Sequence, residues 1–394
     1  MNGGLSKLWQ KDGTKSVLAS LISILIGMAV GGVIILVVGV NNPNLGLSGA
    51  WEGIRLVFGG LFSTGRTAAG QLTFGFNSTN VGNMFFRATP LILTGLSVAV
   101  AFKTGLFNIG AAGQYTLGAY GALYCAIVLH LPWYVGLIAS AVLGGIWGAI
   151  PGLFKAYLNI NEVITSIMFN WIGLYLVNEI IYGNGTGVMY DSRNTRTWNL
   201  RRMEGAEGVT IPDFGLNDMF QTNSTTIAIF LSIVVAILIW VVLDKTTFGY
   251  ELKAVGLNKN AARYAGINEK KNLVLSMVIA GALAGFGAGL YYLSGVSEWN
   301  PLNSTTLPAM GFNGISVALL ASSNPIGTIF SALFISHITV GGSFLSTRYY
   351  PTEVADLISG IIIYLCAFSM LFRGKIAKLL SGGKRADKSG EKEG

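Results

Sequence analysis

The sequence predicts an all-α polytopic membrane protein, and three observations predict it. Apolar residues make up 52% of the 394-residue chain and charged residues only 11%, with a mean hydropathy of +0.58; a soluble domain of this length carries about twice that charge. The charges are confined to short breaks between apolar runs long enough to cross a bilayer, the arrangement that hydrocarbon solvent demands. The basic residues are also biased to one side. Threading the runs alternately with the N-terminus inside places 18 of the 26 Lys and Arg on the inner face, including all 15 Lys, which is the expected asymmetry of an inserted chain.

Ten apolar runs carry the prediction: residues 17–40, 85–102, 110–130, 133–154, 163–182, 224–243, 273–293, 309–322, 325–344 and 354–372. Residues 1–16 form a cytoplasmic N-terminus. The run 17–40 follows Lys7, Lys11 and Lys15 like a signal peptide, but it exceeds the usual apolar core and lacks a small-residue cleavage pattern. It reads as a retained first span within a membrane domain, 17–372. Next, Leu47 to Phe76 holds an amphipathic segment around Trp51, Ile54, Leu56, Val57, Phe58 and Leu61, suited to a gate helix at the outer surface. The outer loop 183–223 contains Arg193, Arg196, Arg201 and Arg202 together with five acids, so its net charge is near zero. An inner loop, 244–272, separates spans six and seven, and a Lys-rich cytoplasmic tail, 373–394, closes the chain. The net charge of +8 is mostly this orientation signal and does not argue for a nucleic-acid partner.

Ten spans divide into two sets of five, and an odd number per set inverts the second copy. Phe107-Asn108-Ile109-Gly110 follows the second span on the inner side, and Phe312-Asn313-Gly314-Ile315 follows the seventh on the outer side; each opens the next span. Matching interruptions on opposite faces are what two inverted five-helix repeats predict, and such breaks point to a transport site. In this scheme the inner loop corresponds to the outer segment 47–76.

A break inside the membrane frees backbone groups that only protein or water can satisfy. Around it, Asn108 and Gln114, with Asn170 on the fifth span and Asn313 at the second break, supply amides able to bind a neutral polar solute such as a sugar hydroxyl or a base edge. Phe107, Tyr115, Trp171 and Phe312 supply rings that suit a nucleobase at about 1–3 kcal/mol per stacked ring. The competing reading is that the amides cap half-helices and join spans, and that the aromatics pack. Elsewhere, Gly281, Gly285 and Gly289 form a small-residue stripe expected to mark a close helix contact. Glu162, with Asn161, stands at the inner mouth of the fifth span. Glu179, Glu353 and Asp356 lie near outer span ends, where solvation lessens the case for ion coupling. Cys125 and Cys366 sit in apolar runs as small hydrophobes, and His130 and His337 have no neighbours at metal-ligand spacing. No HExxH, GxSxG or paired catalytic carboxylates appear, so an enzyme is not indicated; nor is there a GxxxxGK[ST] phosphate loop, so the chain has no nucleotide cofactor of its own by that route.

The inner loop is the most distinctive stretch. Asn258 is placed to cap a short helix whose Ala261, Ala262 and Ala265 share a face, and Gly266 suits a left-handed terminus. Lys259, Arg263, Lys270 and Lys271 surround it with positive charge. Small residues let such a helix enter a groove on a soluble partner closely; the plainer alternative is a solvated loop that only fixes topology.

Four strings, GLFNIGAAGQYTLGAYGA (105–122), NEVITSIMFNWI (161–172), GYELKAVGLNKNAARYAGI (249–267) and GISVALLASSNPIGTIFSALF (314–334), resemble the permease subunits of bacterial ABC importers for simple sugars and nucleosides. They are most similar to the longer of two permeases in nucleoside importers served by a lipoprotein, and the likeness covers most of residues 85–372. Family members commonly carry Glu where this chain has Ala112. The resemblance implies residence in the bacterial cytoplasmic membrane and ABC ATPase subunits, holding ATP and Mg, docked at Gly256, Asn258, Ala261, Ala262, Arg263 and Gly266. It further implies a second, shorter permease subunit, a lipid-anchored solute-binding protein, and a pore within the permease pair. A simple-sugar permease is the near alternative, and an ion-coupled secondary transporter the distant one.

Overall fold

The computed structural model describes residues 28–41, 46–67, 71–203, 208–302, 306–344, 357 and 360–361. Parts of the expected first and tenth spans, with Glu353, Asp356, Cys366 and the Lys-rich tail, lie outside them. The chain divides into two compact units, residues 1–60 with 341–394, and Leu61–Val340. In the first unit, α1 (Met28–Asn41) precedes α2 (Gly46–Gly59). Helix α2 buries Ala50, Gly53, Leu56 and Val57, so its apolar face includes Leu56 and Val57 as expected, but Trp51, expected on that face, is exposed. Its end meets Gly341, whose missing side chain leaves room for the Leu56 and Val57 carbonyls.

The larger unit opens with a hairpin, β1 (Ser63–Arg66) with β2 (Leu72–Phe74). Helices α3 (Ser78–Lys103), α4 (Ala111–Ile127), α5 (Trp133–Leu158) and α6 (Glu162–Tyr182) follow. A second hairpin, β3 (Tyr190–Asp191) with β4 (Arg196–Thr197), and the short α7 (Leu216–Phe220) fill the loop after α6. The rest is α8 (Ala228–Lys245), α9 (Thr247–Leu257), α10 (Lys259–Tyr264), α11 (Glu269–Tyr292), α12 (Ala309–Leu320) and α13 (Pro325–Gly342).

Six helices among the described residues are long and apolar enough to cross a membrane: those beginning at Ser78, Trp133, Glu162, Ala228, Glu269 and Pro325. They match six of the ten predicted runs. Two others are shorter than predicted. Helix α12 has 12 residues, about 18 Å at 1.5 Å per residue, well under a bilayer core. Helix α4 has 17 residues, or about 25 Å. The run 309–322 is itself only 14 residues long, and the helix stops two residues short of its end because Ser322 and Ser323 take left-handed backbone in the turn before Pro325. The structure therefore shows a polytopic helical membrane protein without fixing the count at ten.

Helix α11 is the hub, packing on α5, α4 and α3. Its glycines make this possible. Gly281 and Gly285 lie against Gly144, Gly148 and Ser140 of α5, Gly285 also meets Gly118 of α4, and Gly287 faces Pro90 and Leu93 of α3. Without a hydrophobic drive between helices in lipid, such backbone approach supplies the packing that holds them. On its other side α3 meets α12, with Gly95 under Val317 and Gly314 against Thr94. Thus α3 packs on α12 as α11 packs on α4, with α3 and α11 in contact between them.

Candidate functional site

The first break is a closed polar knot. Asn108 donates to Ser97 Oγ at 3.0 Å and to Gln114 Oε1 at 2.8 Å, and Gln114 returns a hydrogen bond to Asn108 Oδ1 at 3.0 Å. Asn170 on α6 reads the backbone on both sides of the break. Its Oδ1 accepts from Gly113 N at 2.7 Å, and its Nδ2 donates to the Ile109 carbonyl at 3.0 Å. These are groups that an interrupted helix leaves free and lipid cannot satisfy. All three amides are buried. The expected second break is not an interruption: Phe312–Ile315 lie within α12, whose start at Ala309 precedes them, and the neighbouring Gly311 lies directly on the backbone of the buried Ala112.

The aromatic candidates divide by exposure. Phe107 is stacked on Phe102 at 5.4 Å between ring centroids, and Tyr115 is buried beside Tyr292 at 6.3 Å. Phe312 is 37% exposed and Trp171 39%, the latter stacked on Tyr175 at 6.0 Å, and Asn313 is half-buried. Knot and exposed rings are therefore different groups of residues.

The loop between α8 and α11 is a built element. Thr246 caps α9, and Asn258 Oδ1 accepts from Ala261 N at 3.1 Å to cap α10, satisfying an amide the helix start leaves orphaned. Gly266 has φ of +82°, the left-handed value that ends such a turn. The expected three-alanine face is split. Ala261 and Ala265 are exposed, whereas Ala262 turns inward and is 4% exposed, packed with Ala101, Leu106, Val255, Leu273, Met277 and Ala280. Tertiary packing decides this, because either face of so short a helix is small enough to bury. A groove of about 470 Å³ runs between α9 and α10, lined by Tyr250, Ala254, Leu257, Ala261 and Ala265 among others. Leu257 and Tyr264 are almost wholly exposed beside it.

The sequence reading missed how this loop is attached. Gly256 sits on the Lys103, Thr104 and Gly105 backbone, and Gly105, with φ of +70°, returns the contact. Gly105 lies two residues before Phe107. The loop therefore bears directly on the strand of chain that leads into the break. Asn272 at the start of α11 adds a hydrogen bond to Glu251 Oε2 at 3.1 Å. Nearby, Lys155 and Glu162 form an ion pair at 2.8 Å, and Asn161 caps Val163.

At the opposite end of α11, the loop after α6 is clamped down. Trp299 Nε1 donates to Asn178 Oδ1 at 2.8 Å, and its backbone pairs with Thr197. Arg201 donates twice to the Ser294 carbonyl, at 3.1 and 2.8 Å. Burial lowers its guanidinium from the ordinary value, with Asp213 opposing that shift.

Membrane-length helices built around a buried polar break, with a capped loop seated on that break, define an integral membrane permease. The chain belongs to the branched-chain amino acid transport system / permease component family, whose model matches residues 80–367. It is similar to the guanosine ABC transporter permease protein NupP of Bacillus subtilis, 33% identical over 93% of this chain and 97% of that one. It is likewise similar to the nucleoside ABC transporter permease protein NupB of Lactococcus lactis, 32% identical over 96% and 99%. The glucose ABC transporter permease protein TsgB13 of Haloferax volcanii is 31% identical over 77% and 79%. No solved structure matches the chain.

Proposed function

We propose that this chain is a transmembrane permease subunit of an ATP-driven importer for nucleosides in the bacterial cytoplasmic membrane, with both termini inside. The observation that carries the coupling is the seat of Gly256 on Lys103–Gly105. A soluble ATPase pressing into the groove beside Ala261 and Ala265 moves α9 and α10 as one piece. That motion reaches the segment entering the break through two abutting backbones, with no flexible side chain between. ATP and Mg belong to the ATPase, and a lipid-anchored binding protein delivers the solute to the end carrying residues 183–223. A second, shorter permease completes the pore. The nucleoside assignment is supported by NupP and NupB, which match this chain nearly end to end. TsgB13 favours a simple sugar as the second reading.

Two inverted five-span repeats account for the reciprocal packing of α3 on α12 and α11 on α4. Within them, the exposed Phe312 and Trp171 and the half-buried Asn313 touch a neutral solute. Asn108, Gln114 and Asn170, with Phe107 and Tyr115 behind them, hold the shape of the break. The docking assignment is tested with Ala265→Trp combined with Arg263→Glu, both at exposed positions that spare the buried Ala262. Loss of ATPase co-purification is expected; full assembly with normal uptake would remove the loop from the mechanism.

A further inference from the structure

We infer that Arg87 of α3 reads the base of the transported nucleoside and selects bases with two adjacent hydrogen-bond acceptors, as the oxopurines guanine and hypoxanthine carry. This rests on the importer reading and adds a specificity-determining residue to it. Arg87 is the tenth residue of a 26-residue helix of membrane length, about 14 Å from its Ser78 end at 1.5 Å per residue. Among the described residues, every other charged side chain in the six membrane-length helices lies within one turn of a helix end. Arg87 is half-buried, and its guanidinium has no hydrogen bond, ion pair or ring contact among those residues. Helix α3 itself contains no acid. An ionised group at such depth is costly, and its usual place is the wall of a solute or ion path.

The fold turns this side of α3 to the interior. Arg87 shares a face with Leu91, Thr94 and Val98, three and four residues apart, and all three are buried. Thr94 meets Gly314 of α12, and Val98 clusters with Ala318, so the two helices run side by side in the same direction. Two turns back from the Thr94 contact, Arg87 is level with Leu307, ahead of the first residue of α12, Ala309. The helix that covers this face farther down therefore stops short of the guanidinium. Neutral amides lie on either side along the chain. Asn83, one turn before Arg87, lines a cavity of about 590 Å³ with Thr79, Asn217, Asp218 and Gln221. Its Oδ1 accepts from Ser224 at 3.0 Å, while its Nδ2 is unbonded among the described residues. Asn313, one turn before the Val317 that packs on Gly95, likewise holds no hydrogen bond there. A polar seam thus follows α3 from the cavity through Arg87 towards the start of α12.

The chemistry of the guanidinium sets what it selects. It offers N–H donors in a flat fork and no acceptor. Guanine presents O6 and N7 side by side, and both accept; adenine sets an N6 donor beside N7, which turns one N–H against another. Ribose hydroxyls are common to every nucleoside and discriminate none. A phosphate or carboxylate also offers paired acceptors, so the test includes an anion.

The test is ATP-driven uptake by the assembled transporter in proteoliposomes, comparing guanosine, 7-deazaguanosine and adenosine. Each solute is supplied with the same saturating solute-binding protein, so that protein's own selectivity cancels between variants. Arg87→Met should lower both the guanosine-to-adenosine and the guanosine-to-7-deazaguanosine ratios by about tenfold, the second because 7-deazaguanosine lacks the N7 acceptor. Arg87→Gln, whose amide pairs with N6 and N7 of adenine, should shift the first ratio further towards adenosine, whereas Arg87→Lys, with donors for O6 and N7, should retain it. Ratios unchanged in both Arg87→Met and Arg87→Gln, beside normal wild-type uptake, overturn the proposal and leave the importer intact. Failure of both neutral variants to co-purify with the other subunits, where Arg87→Lys assembles, would make the charge structural and overturn it too. Inhibition of wild-type uptake by millimolar phosphate that Arg87→Gln escapes would mark an anion site, with the same consequence. Wild type that carries no nucleoside with ATP overturns both this proposal and the function on which it rests.

Discussion

Removing Asn108 should destabilise the bundle, and removing Gln114 as well should add little. Asn108→Ala deletes three hydrogen bonds, to Ser97 Oγ, to Gln114 Oε1 and from Gln114 Nε2. In membrane bundles such bonds average about 0.6 kcal/mol, giving about 2 kcal/mol. Orphaning the buried Gln114 amide adds about 1–3 kcal/mol, so the single change should cost roughly 3–5 kcal/mol. Gln114→Ala deletes two of the three bonds and leaves Asn108 its Ser97 contact, for roughly 2–4 kcal/mol. In the double variant neither amide remains to be orphaned. Its cost should therefore fall about 2 kcal/mol or more below the sum of the singles, since cavity terms largely cancel in the cycle. Reversible unfolding of the purified chain in mixed micelles, titrated with SDS, reads all three variants. Additivity within about 0.5 kcal/mol would refute the closed knot and return these amides to the list of free solute contacts.

Three other perturbations have defined outcomes. Gly256→Ala places a Cβ 2.9 Å from Gly105 N, at least 0.5 Å inside the 3.4 Å of ordinary contact; the overpacking costs about 1–3 kcal/mol, and the assembled complex should keep hydrolysing ATP while uptake falls, measured side by side in proteoliposomes. Asn258→Ala removes the α10 cap at about 1 kcal/mol, so hydrogen exchange at residues 261–264 should quicken several-fold with α11 unaffected. Trp299→Phe deletes the indole bond to Asn178 without emptying the site; limited proteolysis should then cut within residues 183–223 faster, and an unchanged pattern would show that the clamp does not hold the loop.

Local chemistry was legible in the sequence, and long-range packing was not. The Asn258 cap and the Gly266 terminus lie eight residues apart and are set by neighbouring backbone, so their positions followed from residue type. The FNIG break followed from an interruption in hydropathy. By contrast, Gly256 meets Gly105 across a span of chain that no periodicity links, and Trp299 reaches Asn178 across 121 positions. The inward turn of Ala262 was equally hidden, because three alanines on a one-turn helix look alike until a core is built against one of them. Candidate amides at the break were found by type, yet their mutual bonding depends on α3, α4 and α6 converging. The end of α12 is set by Ser322 and Ser323 taking left-handed backbone where the apolar run closes, a conformation that hydropathy does not register.

The central claim is that this chain moves a nucleoside only when ATPases act on its Gly256–Gly266 loop. Its most direct test is uptake of labelled guanosine, uridine and ribose into proteoliposomes holding the chain with its ATPase and second permease. The account predicts nucleoside uptake that requires ATP and disappears with Ala265→Trp combined with Arg263→Glu. Uptake by this chain alone, indifferent to ATP and collapsing with an ion gradient, would contradict it.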